Sequence, residues 1–170
     1  MTRFRAIALA SFAMLLTTVS AWTAEKPENK LSADVQTILE KAEQFELLSL
    51  DPAVEGVKGK EGFHGWKILG KTMVKDAAVR KEIVTALDKG IAESDGNGAK
   101  CFDPRHGIRA QRDGKTVELV ICFECMQVQG YLDKSEKSDV HFLVTKTPQD
   151  AFDKVLKAAG VKLAPKSDKK

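Results

Sequence analysis

The side chains of this 170-residue sequence that could do chemistry gather between Cys101 and Cys125. Cys122-Phe123-Glu124-Cys125 is a C-x-x-C pair, and Cys101 is the third cysteine of the chain. Pro104-Arg105-His106-Gly107-Ile108-Arg109 adds two guanidinium groups and an imidazole. A C-x-x-C pair serves as a thiol redox centre, as half of a metal site or as part of a disulfide framework. Redox pairs sit at a helix N-terminus, where one turn brings the sulfurs together and the helix dipole lowers the thiol pKa. Nothing after Cys122 reads as a helix start. A zinc site would use Cys101, His106, Cys122 and Cys125, a Cys3His set. Its C-x-x-C half needs a tight knuckle, which Phe123-Glu124 between β-rich flanks does not favour, so no cofactor is expected and zinc stays an alternative. For thiol catalysis the candidate set is Cys122 with Arg105 and His106: Arg105 would lower the thiol pKa and Glu124 would raise it. Arg105, His106 and Arg109 also read as an anion-binding patch, against a plainer reading in which Arg109 pairs with Glu118 across a hairpin.

The elements around these residues constrain them. Asp113-Gly114 lies between two alternating runs, a strong hairpin signal. A two-residue loop there pairs Arg112 with Lys115, Ala110 with Val117, Arg109 with Glu118, Ile108 with Leu119, His106 with Ile121 and Arg105 with Cys122. If the return strand runs on through Met126, Val117, Leu119, Ile121, Phe123 and Cys125 share an apolar face, and Glu118, Cys122 and Glu124 the other. Cys122 and Cys125 would then lie about 10 Å apart on opposite faces, beyond the roughly 7 Å that a disulfide spans. Any internal disulfide should therefore involve Cys101, with Cys125 the reachable partner.

Elsewhere, Ser32 caps a helix to about Glu43, and residues 45–50 read as a strand. Residues 51–62 form a loop rich in Gly and Lys, and 63–74 a second strand weakened by Gly65 and Gly70. Asp76 caps a helix to about Glu93, with Val79, Ile83, Leu87 and Ile91 as its buried stripe. After the hairpin, 138–145 is a strand. Thr147-Pro148 opens a final helix that ends at Gly160. The order α-β-β-α-β-β-β-α predicts an α+β domain: a mainly antiparallel sheet of about five strands with helices packed on one face. His64 and His141 read as packing residues.

Arg3 and Arg5 precede an apolar run from Ala6 to Val19 followed by small residues, the layout of a secretory signal peptide. Residues 1–21 are expected to be that signal, with cleavage as late as 24 allowed. Residues 22–30 are expected as a linker, 31–165 as a single domain and 166–170 as a basic tail. The chain has 27 basic and 24 acidic residues; without Arg3 and Arg5 the balance is 25 to 24. That near balance gives no case for nucleic acid or for an anionic membrane. No later segment is apolar enough to span a bilayer, so a periplasmic or extracellular location is expected. No Gly-rich phosphate loop, Ser-His-Asp spacing or H-E-x-x-H motif is present.

The strings "CFDPRHGIRA", "GKTVELVICFECMQV" and "FHGWKILGKTMVKDAAVRKE" resemble a family of small exported bacterial proteins of uncharacterised function. The shared pattern falls on Cys101, Pro104, Arg105, His106, Gly107, Cys122 and Cys125. The resemblance implies export and a single domain, and no activity or cofactor. The leading expectation is a non-enzymatic binding or structural accessory domain, acting on a protein or small-molecule partner through the open sheet face or the 51–62 loop. A thiol enzyme or redox protein is the competing class.

Overall fold

The computed structural model describes residues 29–165. The expected signal peptide, most of the expected linker and the basic tail lie outside the described residues. Three helices and seven strands follow in order: α1 (Ala33–Glu40), β1 (Gln44–Asp51), β2 (Gly62–Phe63), β3 (Trp66–Met73), α2 (Ala77–Ala92), β4 (His106–Arg112), β5 (Lys115–Cys122), β6 (Gln127–Leu132), β7 (Val140–Leu143) and α3 (Gln149–Ala158). The strands form one antiparallel sheet in the order β2-β3-β1-β4-β5-β6-β7. The fold is α+β, with seven strands rather than about five.

Both additional strands arise at turns that carry no strong turn residue pair. His64 and Gly65 take φ of 49° and 88°, which folds the expected 63–74 strand into a β2–β3 hairpin. Similarly, β5 stops at Cys122, and Phe123–Met126 form a four-residue loop that returns the chain as β6, with Cys122 opposite Gln127. Met126 takes φ 58° there. The long strand expected through Met126 is thus a hairpin.

Local chemistry sets the other boundaries. Ser32 Oγ accepts from the Val35 amide, and Asp76 Oδ1 accepts from Ala78 and Val79, so both helices start at their expected caps. α3 differs: Pro148 is the cap residue, and no side chain bonds the free amides. Its far end closes at Gly160 (φ 69°), where Val161 N–H donates to Leu156. Asp113 and Gly114, φ 49° and 77°, make the tight turn between β4 and β5. The ladder from Arg112–Lys115 to His106–Ile121 follows the expected register; beyond it, Arg105 bonds Ile121 through its amide, and Cys122 pairs with Gln127.

All three helices bury their apolar stripes on one face of the sheet. That core holds Leu39 of α1, Ile83, Leu87 and Ile91 of α2, and Phe152 and Leu156 of α3, against Leu47, Ile108, Leu119, Ile121 and Phe123. The other face is not open. The 51–65 segment folds over it, and Phe63 packs on Leu48, Leu50, Val120 and Tyr131 as a second, smaller core. Gly107 makes room for this: a Cβ there would stand 2.8 Å from the Phe63 ring.

Candidate functional site

His106 begins β4 on the helix-covered face, directly opposite Ser49 of β1. Only 3% of it is exposed, and its ring lies among Phe123 and Phe152. Nε2 is 2.8 Å from Asp153 Oδ1 on α3. The hydrogen bond from His106 holds the Asp153 carboxyl below the usual aspartate range, against its partial burial. With Asp153 ionised, Nε2–H is the donor in this bond. Nδ1 is buried without a hydrogen-bond partner among the described residues, and so is Ser49 Oγ. Unpaired buried polar atoms are uncommon and costly.

Beside this pair lies a cleft of about 440 Å³ whose lining includes Arg105, His106, Lys146, Gln149, Asp153 and Lys157. Gln149, Asp153 and Lys157 are spaced by four along α3 and so share one helix face. Arg105 forms an ion pair with Glu124 and donates through Nε to the Pro165 carbonyl at 3.1 Å. Arg105, Lys146 and Lys157 outnumber the two carboxylates, Glu124 and Asp153, so the cleft carries an excess of positive charge.

The three cysteines meet at the β5–β6 loop. Cys101 and Cys125 lie at disulfide distance, with Cα atoms 5.8 Å apart. The segment leading into Cys101 is tied to the loop: the Ala99 amide donates to the Cys125 carbonyl at 3.0 Å, and Gln127 Nε2 donates to the Cys101 carbonyl at 3.2 Å. Cys122 is a free, buried thiol. Its Sγ donates to the Asp103 carbonyl at 3.3 Å and accepts from the Cys125 amide at 3.1 Å. Burial pushes the thiol pKa up, although the Cys125 amide and Arg105 pull it down. The expected 10 Å strand separation of Cys122 and Cys125 does not apply, because a loop and not a strand joins them.

The candidate sets are brought together only in part. His106 turns to α3 while Cys122, one residue beyond its partner Ile121, leaves the strand on the other face. The thiol set of Cys122, Arg105 and His106 therefore does not converge on one point. Nor does the Cys3His set. Among the described residues, Cys101, Asp103 and Cys125 form a close group of ligand type, but its only two sulfurs are the disulfide pair and a metal needs thiolates.

No protein family matches this chain, and neither a curated protein nor a solved structure is similar to it.

The face beneath the 51–65 segment holds a second polar cluster. Glu118 accepts from Arg109 across the hairpin and lies 2.8 Å from His64 Nε2. Arg109 also pairs with Glu46 at 3.2 Å, and Lys71 with Glu46 at 2.8 Å. The Arg109 guanidinium lies 5.2 Å over the Phe63 ring, and His64 stacks on Tyr131. Burial pulls the Glu118 carboxyl up, but the bonds from His64 and Arg109 outweigh it and hold it low. His64 is thus a polar partner of Glu118 as well as a packing residue; exposed His141 lies 3.2 Å from Gln127 Oε1. No helix among the described residues is long and apolar enough to cross a membrane.

The sequence reading missed Asp153, Gln149, Lys146 and Lys157. For the three on α3 the signal was the helix phase: once α3 is placed, positions 149, 153 and 157 form a polar stripe that flanks the buried Phe152 and Leu156; Lys146 precedes the helix and carried no such signal.

Proposed function

We propose that this chain is an exported, non-enzymatic binding domain, akin to the bacterial family its motifs resemble, and that it receives a small organic anion in the cleft beside α3. The observation that carries this reading is the buried imidazole of His106. It is oriented by Asp153, has one ring nitrogen unpaired, and stands where Arg105, Lys146 and Lys157 place an excess of positive charge. The cleft volume of about 440 Å³ is that of a small-molecule site. Two lysines at its rim attract an anion, and Gln149 offers a neutral donor and acceptor to fix its orientation. The residues given above as lining the cleft include no hydroxyl or thiol nucleophile, and Cys122 is buried with its thiol pushed up, so binding without turnover is favoured over thiol catalysis. Export fits the disulfide pair, since such bonds persist in oxidising compartments.

The test is an NMR titration of the mature protein with a panel of carboxylic acids and organic phosphates. A member that binds shifts the Lys146, Gln149 and Lys157 amides and the His106 ring in a saturable way. Lys146→Ala/Lys157→Ala abolishes those shifts. A panel that yields no saturable shift, or shifts that survive in the double variant, overturns the reading.

A further inference from the structure

Cys122 is a nucleophile that the anion cleft does not use, and it stands against a disulfide. The loop Phe123–Met126 turns the chain back so that the Cys125 amide reaches the Cys122 sulfur at 3.1 Å. Only three covalent bonds separate that amide nitrogen from the Cys125 sulfur, so the free thiol lies beside the buried end of the Cys101–Cys125 bridge. The far end differs: Cys101 is exposed, whereas Cys125 is fully buried. Burial raises the Cys122 thiol pKa, so its thiolate is a minor species, which the bond from the Cys125 amide stabilises once it forms.

We propose that Cys122 is an internal exchange partner of this disulfide, so that the chain alternates between a Cys101–Cys125 and a Cys122–Cys125 bridge. The Cys122 thiolate attacks the Cys125 sulfur. An S–S bond forms between 122 and 125 as the 101–125 bond breaks, and the bonding pair leaves on Cys101, which takes a proton from water. The proton lost by Cys122 balances the one gained by Cys101. The number of disulfides is unchanged, and no outside oxidant or reductant takes part. Exchange of this kind runs through attack of a thiolate in line with the bridge. Its outcome is chemical: a buried thiol is traded for an exposed one at Cys101, open to mixed disulfides with other exported thiols.

The experiment is native-state alkylation of the purified, oxidised protein with iodoacetamide in the absence of reductant. Acid quenching and peptide mapping without reduction follow. The expected result is label accumulating on Cys101 in molecules that carry a Cys122–Cys125 link, with the Cys101 label lost in Cys122→Ala. Label confined to Cys122 with the 101–125 link intact overturns the proposal, as does Cys101 labelling that persists in Cys122→Ala, a Cys101–Cys122 link, or no label at all. A second variant guards against misfolding of the first. Cys101→Ser, oxidised with glutathione disulfide, closes the 122–125 bridge if the loop permits it, and two free thiols there overturn the proposal.

Discussion

Glu118 stands directly opposite Arg109 in the β4–β5 ladder, and its carboxylate also receives His64 from the β2–β3 turn. The ion pair read from the hairpin is thus half-buried: Glu118 is only 8% exposed, whereas the Arg109 side chain is 42% exposed. Removing Glu118 takes away the carboxylate that His64 contacts and leaves Arg109 with Glu46 alone. Glu118→Ala should therefore cost about 1–3 kcal/mol, above the roughly 0–1 kcal/mol of an exposed pair. The urea midpoint measures it, and a loss within the exposed-pair range would show that the cluster is solvated.

The same carboxylate makes stability depend on acid. Its folded pKa lies below the ordinary glutamate value of 4.5, and that of Asp153 below the ordinary aspartate value of 3.8. A lowered folded pKa adds stability that is complete above the unfolded value and disappears as pH falls through the folded one. The wild-type unfolding free energy should thus fall as pH drops below those ordinary values. Glu118→Gln and Asp153→Asn should each flatten part of that slope. Parallel pH profiles for wild type and variants would contradict it.

Gly107 tests the second core. A methyl group at this position meets the Phe63 ring edge at 2.8 Å and the Leu119 carbonyl at 3.4 Å. Gly107→Ala should destabilise by about 1–3 kcal/mol through overpacking. Adding Phe63→Leu should recover part of that loss, since the clash disappears with the ring. Additive losses in the thermal midpoint of the double variant would mean that the two residues do not touch.

Phe123 belongs to the helix-side core, packed edge-on against Phe152 with centroids 5.1 Å apart. Phe123→Ala should cost about 3–5 kcal/mol. Val54→Ala, at a residue 37% exposed, should stay within about 0.5 kcal/mol. Equal shifts in denaturant midpoint for the two would refute the packing.

Reduction removes a loop constraint. The Cys101–Cys125 pair closes a span of 24 residues, which chain-entropy arguments value at about 3–4 kcal/mol. Adding a strong thiol reductant should lower the urea midpoint accordingly and leave Cys122→Ser equally sensitive.

What could be read in advance follows from how local its cause is. Asp113-Gly114 sets one turn geometry, and from that turn the pairing of seven residues down to His106 follows without further information. The helix caps at Ser32 and Asp76 were legible for the same reason. The loop at Phe123–Met126 was not. Its left-handed residue is Met126 and not glycine, and its four residues read equally well as strand, so β6 was hidden in the expected long strand. His64 concealed the β2–β3 turn in the same way. The pair of His106 and Asp153 joins residues 47 apart in sequence on two elements, and no spacing rule links them. Only the packing of α3 against the end of β4 makes that contact.

Asn29, the first of the described residues, bears on how the molecule meets its own copies. Asn29 Nδ2 donates to the Leu143 carbonyl at 2.9 Å and to the Ile91 carbonyl at 2.7 Å, while its Oδ1 accepts from the Leu143 amide at 3.0 Å. One side-chain amide thus stands in for a neighbouring peptide at the outer margin of the sheet, where β7 has no further strand beside it among the described residues. An outer strand with free amides and carbonyls is a template on which another chain adds. At Leu143 that template is already filled from within, and Asn29→Ala would bare it. The substitution removes no core side chain, so its mark would be intermolecular: clumping that grows with protein concentration in a fold that still melts as a monomer.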